Sequence, residues 1–219
     1  MLKINKKLTT YNFTKLENKR NMWIVIHYVG AVSTAKANAI YFSKENRKAS
    51  ANYFVDENEI WQCVEDKYGA WHVGGAVKYY NSCRNNNSIG IEMCCKRKGT
   101  TGEWYFEEQT IKNTLELTKY LMKKYNIPIE RVCRHYDVTR KICPEPFVRN
   151  ENAWLKFLSD LQKEEVKEML TLEEALHFLN KKGLVSDPDY WENACKCVKN
   201  LEFVFIKWAN SLATTVVND

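Results

Sequence analysis

Four histidines occur in the 219 residues, at positions 27, 72, 135 and 177, and their surroundings decide what chemistry each could support. His27 follows the apolar run Met22-Trp23-Ile24-Val25-Ile26. A run of this kind suits a strand buried on both faces of an α/β sheet. A residue at its end would project into a cleft at the sheet's carboxyl edge. His135 opens the segment His135-Tyr136-Asp137-Val138-Thr139-Arg140-Lys141-Ile142-Cys143-Pro144. A Pro-bounded loop there can bring an imidazole and a thiolate to one metal ion. Three protein ligands and one open position are the pattern of a catalytic zinc site. Taken alone, the His-x7-Cys spacing fits a surface histidine beside a core cysteine better than a metal site. Glu92, ending Ser88-Ile89-Gly90-Ile91-Glu92, reads in isolation as a strand-end carboxylate in an ion pair, and Lys141 as a solvated surface lysine.

The elements that must position these groups alternate in type. Residues 34–46 read as a helix after the first buried strand. Tyr53-Phe54-Val55 and Ile60-Trp61-Gln62-Cys63-Val64 flank a polar Asp56-Glu57-Asn58 turn and read as a hairpin, and residues 88–93 read as a further strand. From Glu107 to Tyr125 the apolar positions Ile111, Leu115, Met122 and Tyr125 share one helical face. Glu107 and Glu108 in the first turn and Lys123 and Lys124 in the last suit the helix dipole. Residues 134–146 read as a loop and Trp154–Leu161 as a short helix. The expected architecture is α/β, a mixed central β-sheet flanked by helices.

Four segments, in order, carry a resemblance: Ile24-Val25-Ile26-His27-Tyr28, Ala70-Trp71-His72-Val73-Gly74, Asn87-Ser88-Ile89-Gly90-Ile91-Glu92, and His135-Tyr136-Asp137 through Lys141-Ile142-Cys143-Pro144. Over residues 5–158 the chain resembles the type-2 N-acetylmuramoyl-L-alanine amidases, a family that includes phage endolysins and peptidoglycan recognition proteins. The resemblance implies that His27, His135 and Cys143 hold Zn2+, that Glu92 is the general base, and that Lys141 steadies the oxyanion. It makes bacterial peptidoglycan the partner and the lactyl–L-Ala amide the bond cut. Trp71 and His72 are assigned to substrate binding, with a place capping the core as the alternative for His72. Many relatives carry a His where this chain has Asn52, which would contact substrate or face solvent. Asp137 is expected to order its own loop, and His177 to be structural.

Residues 160–219 are expected to form a separate all-helical module after a catalytic domain of residues 1–159. Lys163-Glu164-Glu165 reads as a charged connector. Thr171 and Glu174 form a capping box for a helix that Gly183 ends, and Asp187-Pro188 opens another with Pro at its first position. The apolar run Leu201–Leu212 would pack on it. This module holds 7 Lys+Arg against 11 Asp+Glu, a net −4, while residues 1–159 hold 26 against 16, a net +10. Tyr190, Trp191, Phe203, Phe205 and Trp208 are more aromatic and apolar surface than so small a unit can bury alone. Self-association or attachment to wall polymers is the expected use.

Eight cysteines without a secretion-type apolar run near the N-terminus are expected to be mostly free thiols. The Cys94-Cys95 pair and Cys195-x-Cys197 lack the second pair of a zinc motif. No segment reaches the roughly 20 apolar residues of a membrane helix. The expected setting is synthesis in a cytoplasm and action on the wall after release, as for a phage or prophage endolysin. A non-catalytic peptidoglycan-binding module is the alternative. A nucleic-acid protein with a structural zinc is disfavoured, because such a site needs four protein ligands and the sequence offers three.

Overall fold

Trp23–Val32 forms strand β3, around which the larger part of the chain is arranged. The computed structural model describes residues 1–74, 82–163, 171–198 and 200–215. Those residues divide into two compact units, Met1–Lys163 and Glu164–Asp219.

In the first unit β3 pairs in parallel with β7 (Ser88–Arg97) on one side and β9 (Val132–Arg134) on the other. β4 (Tyr53–Val55) lies parallel to β7 and antiparallel to β5 (Ile60–Gln62), and β1 (Ile4–Lys6) closes the order β1-β5-β4-β7-β3-β9. β8 (Trp104–Tyr105) pairs with the end of β7, and β2 (Phe13–Thr14) pairs separately with β6 (Gly69–Ala70). The result is the mixed sheet flanked by helices that the alternation of elements implies.

Side-chain alternation along β3 divides the core. Ile24 and Ile26 join Ile89, Ile91 and Met93 of β7 in a cluster covered by helix α2 (Glu108–Tyr125) and helix α5 (Glu151–Gln162). Val25 and His27 face the other way, as do Phe54, Cys63 and Cys94, which pack under helix α1 (Ala35–Lys44). Each fully buried Ile of this kind contributes about 1.5–3 kcal/mol of transfer free energy.

The deepest stripe of α2 differs from the one the apolar positions mark. Thr110, Asn113, Thr114, Leu117, Thr118 and Leu121 are buried, while Ile111, Leu115, Met122 and Tyr125 are partly buried at its margins. Thr114, Thr118 and Asn113 can occupy the stripe because their hydrogen bonds are made there. Thr114 and Thr118 donate to the carbonyls of Thr110 and Thr114, both at 2.7 Å, and the Asn113 amide donates to the carbonyls of Asp56 and Glu57.

Residues 134–146 are not a plain loop. They contain helix α3 (His135–Thr139) and the start of helix α4 (Glu145–Arg149), with a cis Cys143–Pro144 peptide between them. Asp137 accepts from the Arg134 backbone N–H and from its guanidinium, which caps α3. Buried Arg134 also donates to the Phe147 carbonyl and to Glu151, so one side chain fastens α3, α4 and α5 beside β9.

The second unit contains helices α6 (Leu172–Lys181), α7 (Pro188–Cys197) and α8 (Leu201–Thr215). Thr171 and Glu174 form the capping box, Gly183 ends the α6 turn at φ +70°, and Asp187 caps α7. Its core joins Ala175, Leu176 and Leu179 to Phe205, Ile206 and Ala209. Thus α8 packs on α6 as well as near α7. Phe205 is buried and Trp191 packs against this core, whereas Tyr190, Phe203 and Trp208 are exposed. His177 is exposed on α6. From residue 164 onward, the charged connector expected at 163–165 lies outside the described residues.

Candidate active site

Parallel pairing places Trp23 opposite Ser88 and His27 opposite Glu92, so the imidazole and the carboxyl stand side by side on one face of the sheet. His27 therefore works from within a strand that continues to Val32, not from the strand's end as the apolar run suggests. The pairing becomes irregular after Tyr28, and Gly30 takes φ +68°, a turn of the backbone that favours glycine. Past that point β3 is exposed.

α3 carries His135 at its first position, directly after β9, which neighbours β3. The chain then reverses at Arg140, with φ +64°, and Tyr136 donates its backbone N–H to the Cys143 carbonyl at 2.8 Å. This closure returns the Cys143 thiol to the sheet. One ligand atom each from His27, His135 and Cys143 fall within 4.8 Å of one another, and all three residues are buried. Cys143 Sγ lies 3.7 Å from His27 Nδ1. A tetrahedral edge between a zinc–sulfur bond of about 2.3 Å and a zinc–nitrogen bond of about 2.0 Å spans about 3.5 Å. Two imidazoles and one thiol, at that spacing, fit zinc.

The electrostatics agree with such an occupant. Burial, followed by His135, His72 and Lys141, holds the His27 imidazole well below its ordinary pKa, so it is a neutral donor. Burial and then Glu92 push the Cys143 thiol up, opposed by the Tyr28 backbone N–H and Lys141. A divalent cation is what such a thiol needs to become a thiolate. Glu92 is pushed up to about 8 by burial, with Lys141 opposing. Its Oε2 is enclosed and has no hydrogen-bond partner among the described residues. The exposed Lys141 therefore reaches His27, Cys143 and Glu92 electrostatically while its side chain stays in solvent.

The His72 ring is buried, with Nδ1 3.0 Å from His27 Nε2 and Nε2 3.0 Å from Ser88 Oγ. That placement suits the alternative of a position capping the core. Asn52 neither faces solvent nor reaches a ligand. It is fully buried, its backbone N–H donates to the Gly90 carbonyl, and its side-chain oxygen accepts from the Gly90 N–H, both at 3.0 Å. Trp71 is half-buried, with its indole N–H on Thr14 Oγ1 at 2.9 Å. Ser88, Gly90 and Asn85 had no individual role in the sequence reading. Ser88 and Gly90 are small residues in a motif whose chemical signal is its charged end, and Asn85 carries no spacing signal.

A mixed sheet with two buried imidazoles, a thiol and a carboxyl gathered on one face defines an α/β protein built around a metal-type donor cluster. Residues 17–146 match the N-acetylmuramoyl-L-alanine amidase family, and the chain belongs to that family. A probable N-acetylmuramoyl-L-alanine amidase of Bacillus licheniformis is 34% identical over 153 residues, which is 66% of this chain and 42% of that protein. A solved mutant endolysin from Bacillus subtilis is 25% identical with a TM-score of 0.60, over 74% of this chain and 99% of that one. The structure of PlyL shares the fold at 24% identity and a TM-score of 0.61, over 75% of this chain and all of that one. The chain spans less than half the length of the curated relatives it matches. All eight cysteines are free thiols, and no described helix is long and apolar enough to cross a membrane.

Proposed function

We propose that this chain is a zinc-dependent N-acetylmuramoyl-L-alanine amidase that hydrolyses the amide between the lactyl group of peptidoglycan and the first L-Ala of the stem peptide. The observation that carries the reading is the buried His27–His135–Cys143 cluster with Glu92 beside His27 on the same sheet face. His27, His135 and Cys143 would hold the metal. Zinc in such a setting supplies a Lewis acid and makes water acidic enough to act as a nucleophile near neutral pH. Glu92 would take the water's proton and deliver it to the leaving amine of L-Ala. Lys141, exposed and felt electrostatically by His27, Cys143 and Glu92, would steady the oxygen on which negative charge develops, a role worth roughly 3–4 kcal/mol where it is met by a fixed donor. Trp71 offers a half-buried indole as a substrate contact. A solely binding relative has no need of a base and an ammonium near one cluster.

Digestion of purified peptidoglycan distinguishes the bond cut. New L-Ala amino termini without new reducing sugars are the expected products, and new reducing ends would identify a glycosidase instead.

The helical unit is the basis of a second part of the proposal, that the chain acts as a phage or prophage endolysin with an attachment or self-association module. Its exposed Tyr190, Phe203 and Trp208 suit stacking on sugars or on another copy. Ending the chain after Lys163 is expected to leave hydrolysis of soluble muropeptides intact and to lower lysis of whole cells. Unchanged lysis, with both forms monomeric by light scattering, would remove both roles for the module.

A further inference from the structure

Behind His27 runs a chain of polar atoms that the amidase reaction does not itself require. His27 Nε2 lies 3.0 Å from His72 Nδ1, and His72 Nε2 lies 3.0 Å from Ser88 Oγ. Ser88 Oγ lies 2.6 Å from the carbonyl oxygen of Arg84. The last member fixes the direction of the rest, because a backbone carbonyl can only accept. The Ser88 hydroxyl donates its one proton to it. Its oxygen is then the acceptor for a proton on His72 Nε2. A neutral His72 with that proton presents a lone pair at Nδ1, which accepts from His27 Nε2–H. His27 is left with its lone pair on Nδ1, the nitrogen 3.7 Å from Cys143 Sγ.

The ring in the middle is clamped. Asn85 Oδ1 accepts from the backbone N–H groups of His72 and Val73, at 3.1 and 2.8 Å. The ring lies flat against Gly90 of β7, where an added Cβ would come within 2.7 Å of both Cγ and Nδ1 of His72. Asn52, just before β4, grips Gly90. Ser88 is fully buried and stands at the start of the same strand. The motif Ser88-Ile89-Gly90-Ile91-Glu92 thus carries the relay's acceptor, the space for its ring and the carboxyl beside His27.

We propose that Ser88 and His72 are positioning residues that form a one-way hydrogen-bond relay, fixing His27 as the Nε2–H tautomer with its Nδ1 lone pair turned to the metal cluster. The link to metal rests on the zinc reading above; the direction of the relay does not. Outer-shell partners of metal-bound histidines fix tautomer and ring orientation in this way, and their loss weakens metal binding by about 10–100-fold. The competing arrangement is a doubly protonated His72 donating from Nδ1, which would put the His27 proton on the nitrogen facing Cys143. It requires an ionised group in a buried position, which is costly.

The two arrangements differ in an observable that activity does not enter. Long-range 1H–15N correlation on the full chain, with and without added zinc, reads which ring nitrogen of each histidine carries the proton. With four histidines in the sequence, single substitutions assign the signals. Nε2–H on both His27 and His72 is the expected result in both samples, and a proton on Nδ1 of either overturns the relay. Ser88→Ala is expected to weaken zinc about 10–100-fold in competition with a chelator. His72→Asn, whose side-chain oxygen can occupy the Nδ1 position, should bind zinc more tightly than His72→Leu. Unchanged zinc affinity in folded Ser88→Ala and His72→Leu overturns the positioning role. Failure of the wild-type chain to bind zinc would overturn the zinc reading, and with it the positioning role toward metal, while the tautomers still decide the relay's direction.

Discussion

Cys143→Ser is expected to lose bound zinc and, with it, measurable amidase activity. The replacement is nearly isosteric, so it asks about ligand chemistry more than shape. A thiolate is a strong zinc ligand, and a serine hydroxyl is not deprotonated under conditions in which a cysteine beside a divalent cation is. His27 and His135 would remain as two neutral donors, too few for a catalytic site. The loss in affinity should exceed the about 10–100-fold that removing an outer-shell partner causes. His27→Ala and His135→Ala should behave alike for the same reason. Metal content after dialysis checks the claim directly, and full occupancy in C143S would take Cys143 out of the ligand set. A thermal readout separates ligand loss from misfolding. Bound metal stabilises the folded state by mass action, so chelation should lower the wild-type Tm and leave that of C143S unchanged. Equal sensitivity of both proteins to chelator would mean that zinc is held elsewhere.

The framework of this site is legible in the sequence because its signals are local and of one kind. The run Met22–Ile26 has no polar residue, which suits a strand covered on both faces, and the first half of β3 is such a strand. Thr171 caps α6 by a side-chain acceptor that the sequence displays at the right offset from Glu174. What escaped depends on partners far along the chain. The end of an apolar run does not mark the end of its strand, since β3 continues for five residues past His27 with exposed or half-buried side chains. Helix α3 is five residues long, and Arg134, gripping Asp137, Phe147 and Glu151, makes it worth forming.

His72 and Asn52 show the same limit for single polar residues. Either type is more often near solvent than inside. Each is buried because backbone or side-chain partners from neighbouring strands satisfy it: Ser88 of β7 and His27 of β3 for His72, Gly90 of β7 for Asn52. Thr110, Thr114 and Thr118 mislead in the opposite sense. They interrupt an apolar face on paper, yet the Thr114 and Thr118 hydroxyls are satisfied by their own helix, so the stripe buries those two at little cost.

Glu92→Gln should separate catalysis from stability, lowering one and raising the other. Glutamine keeps the shape of the side chain but cannot accept the proton of water. If Glu92 is the base, kcat falls by about 10²–10⁴-fold while zinc content stays unchanged. The stability effect follows from the carboxyl's burial. Its pKa rises from 4.5 to about 8 in the folded, metal-free protein, because taking the charged form out of water costs more than Lys141 returns. A carboxyl that binds its proton more tightly when folded contributes stability below pH 4.5, and that contribution disappears as pH climbs through 8. The glutamine has no proton to lose. With chelator present, the Tm of E92Q should therefore be close to wild type near pH 4.5 and rise progressively above it toward pH 8. A divalent cation beside His27 favours the ionised carboxylate, so zinc should shrink the difference, and the same charge keeps the base in its working form near neutrality. Parallel Tm profiles across this range would show that the carboxyl is not desolvated. Near-normal turnover in a zinc-loaded E92Q would return Glu92 to a structural role and leave proton transfer to another group on the open face of the sheet.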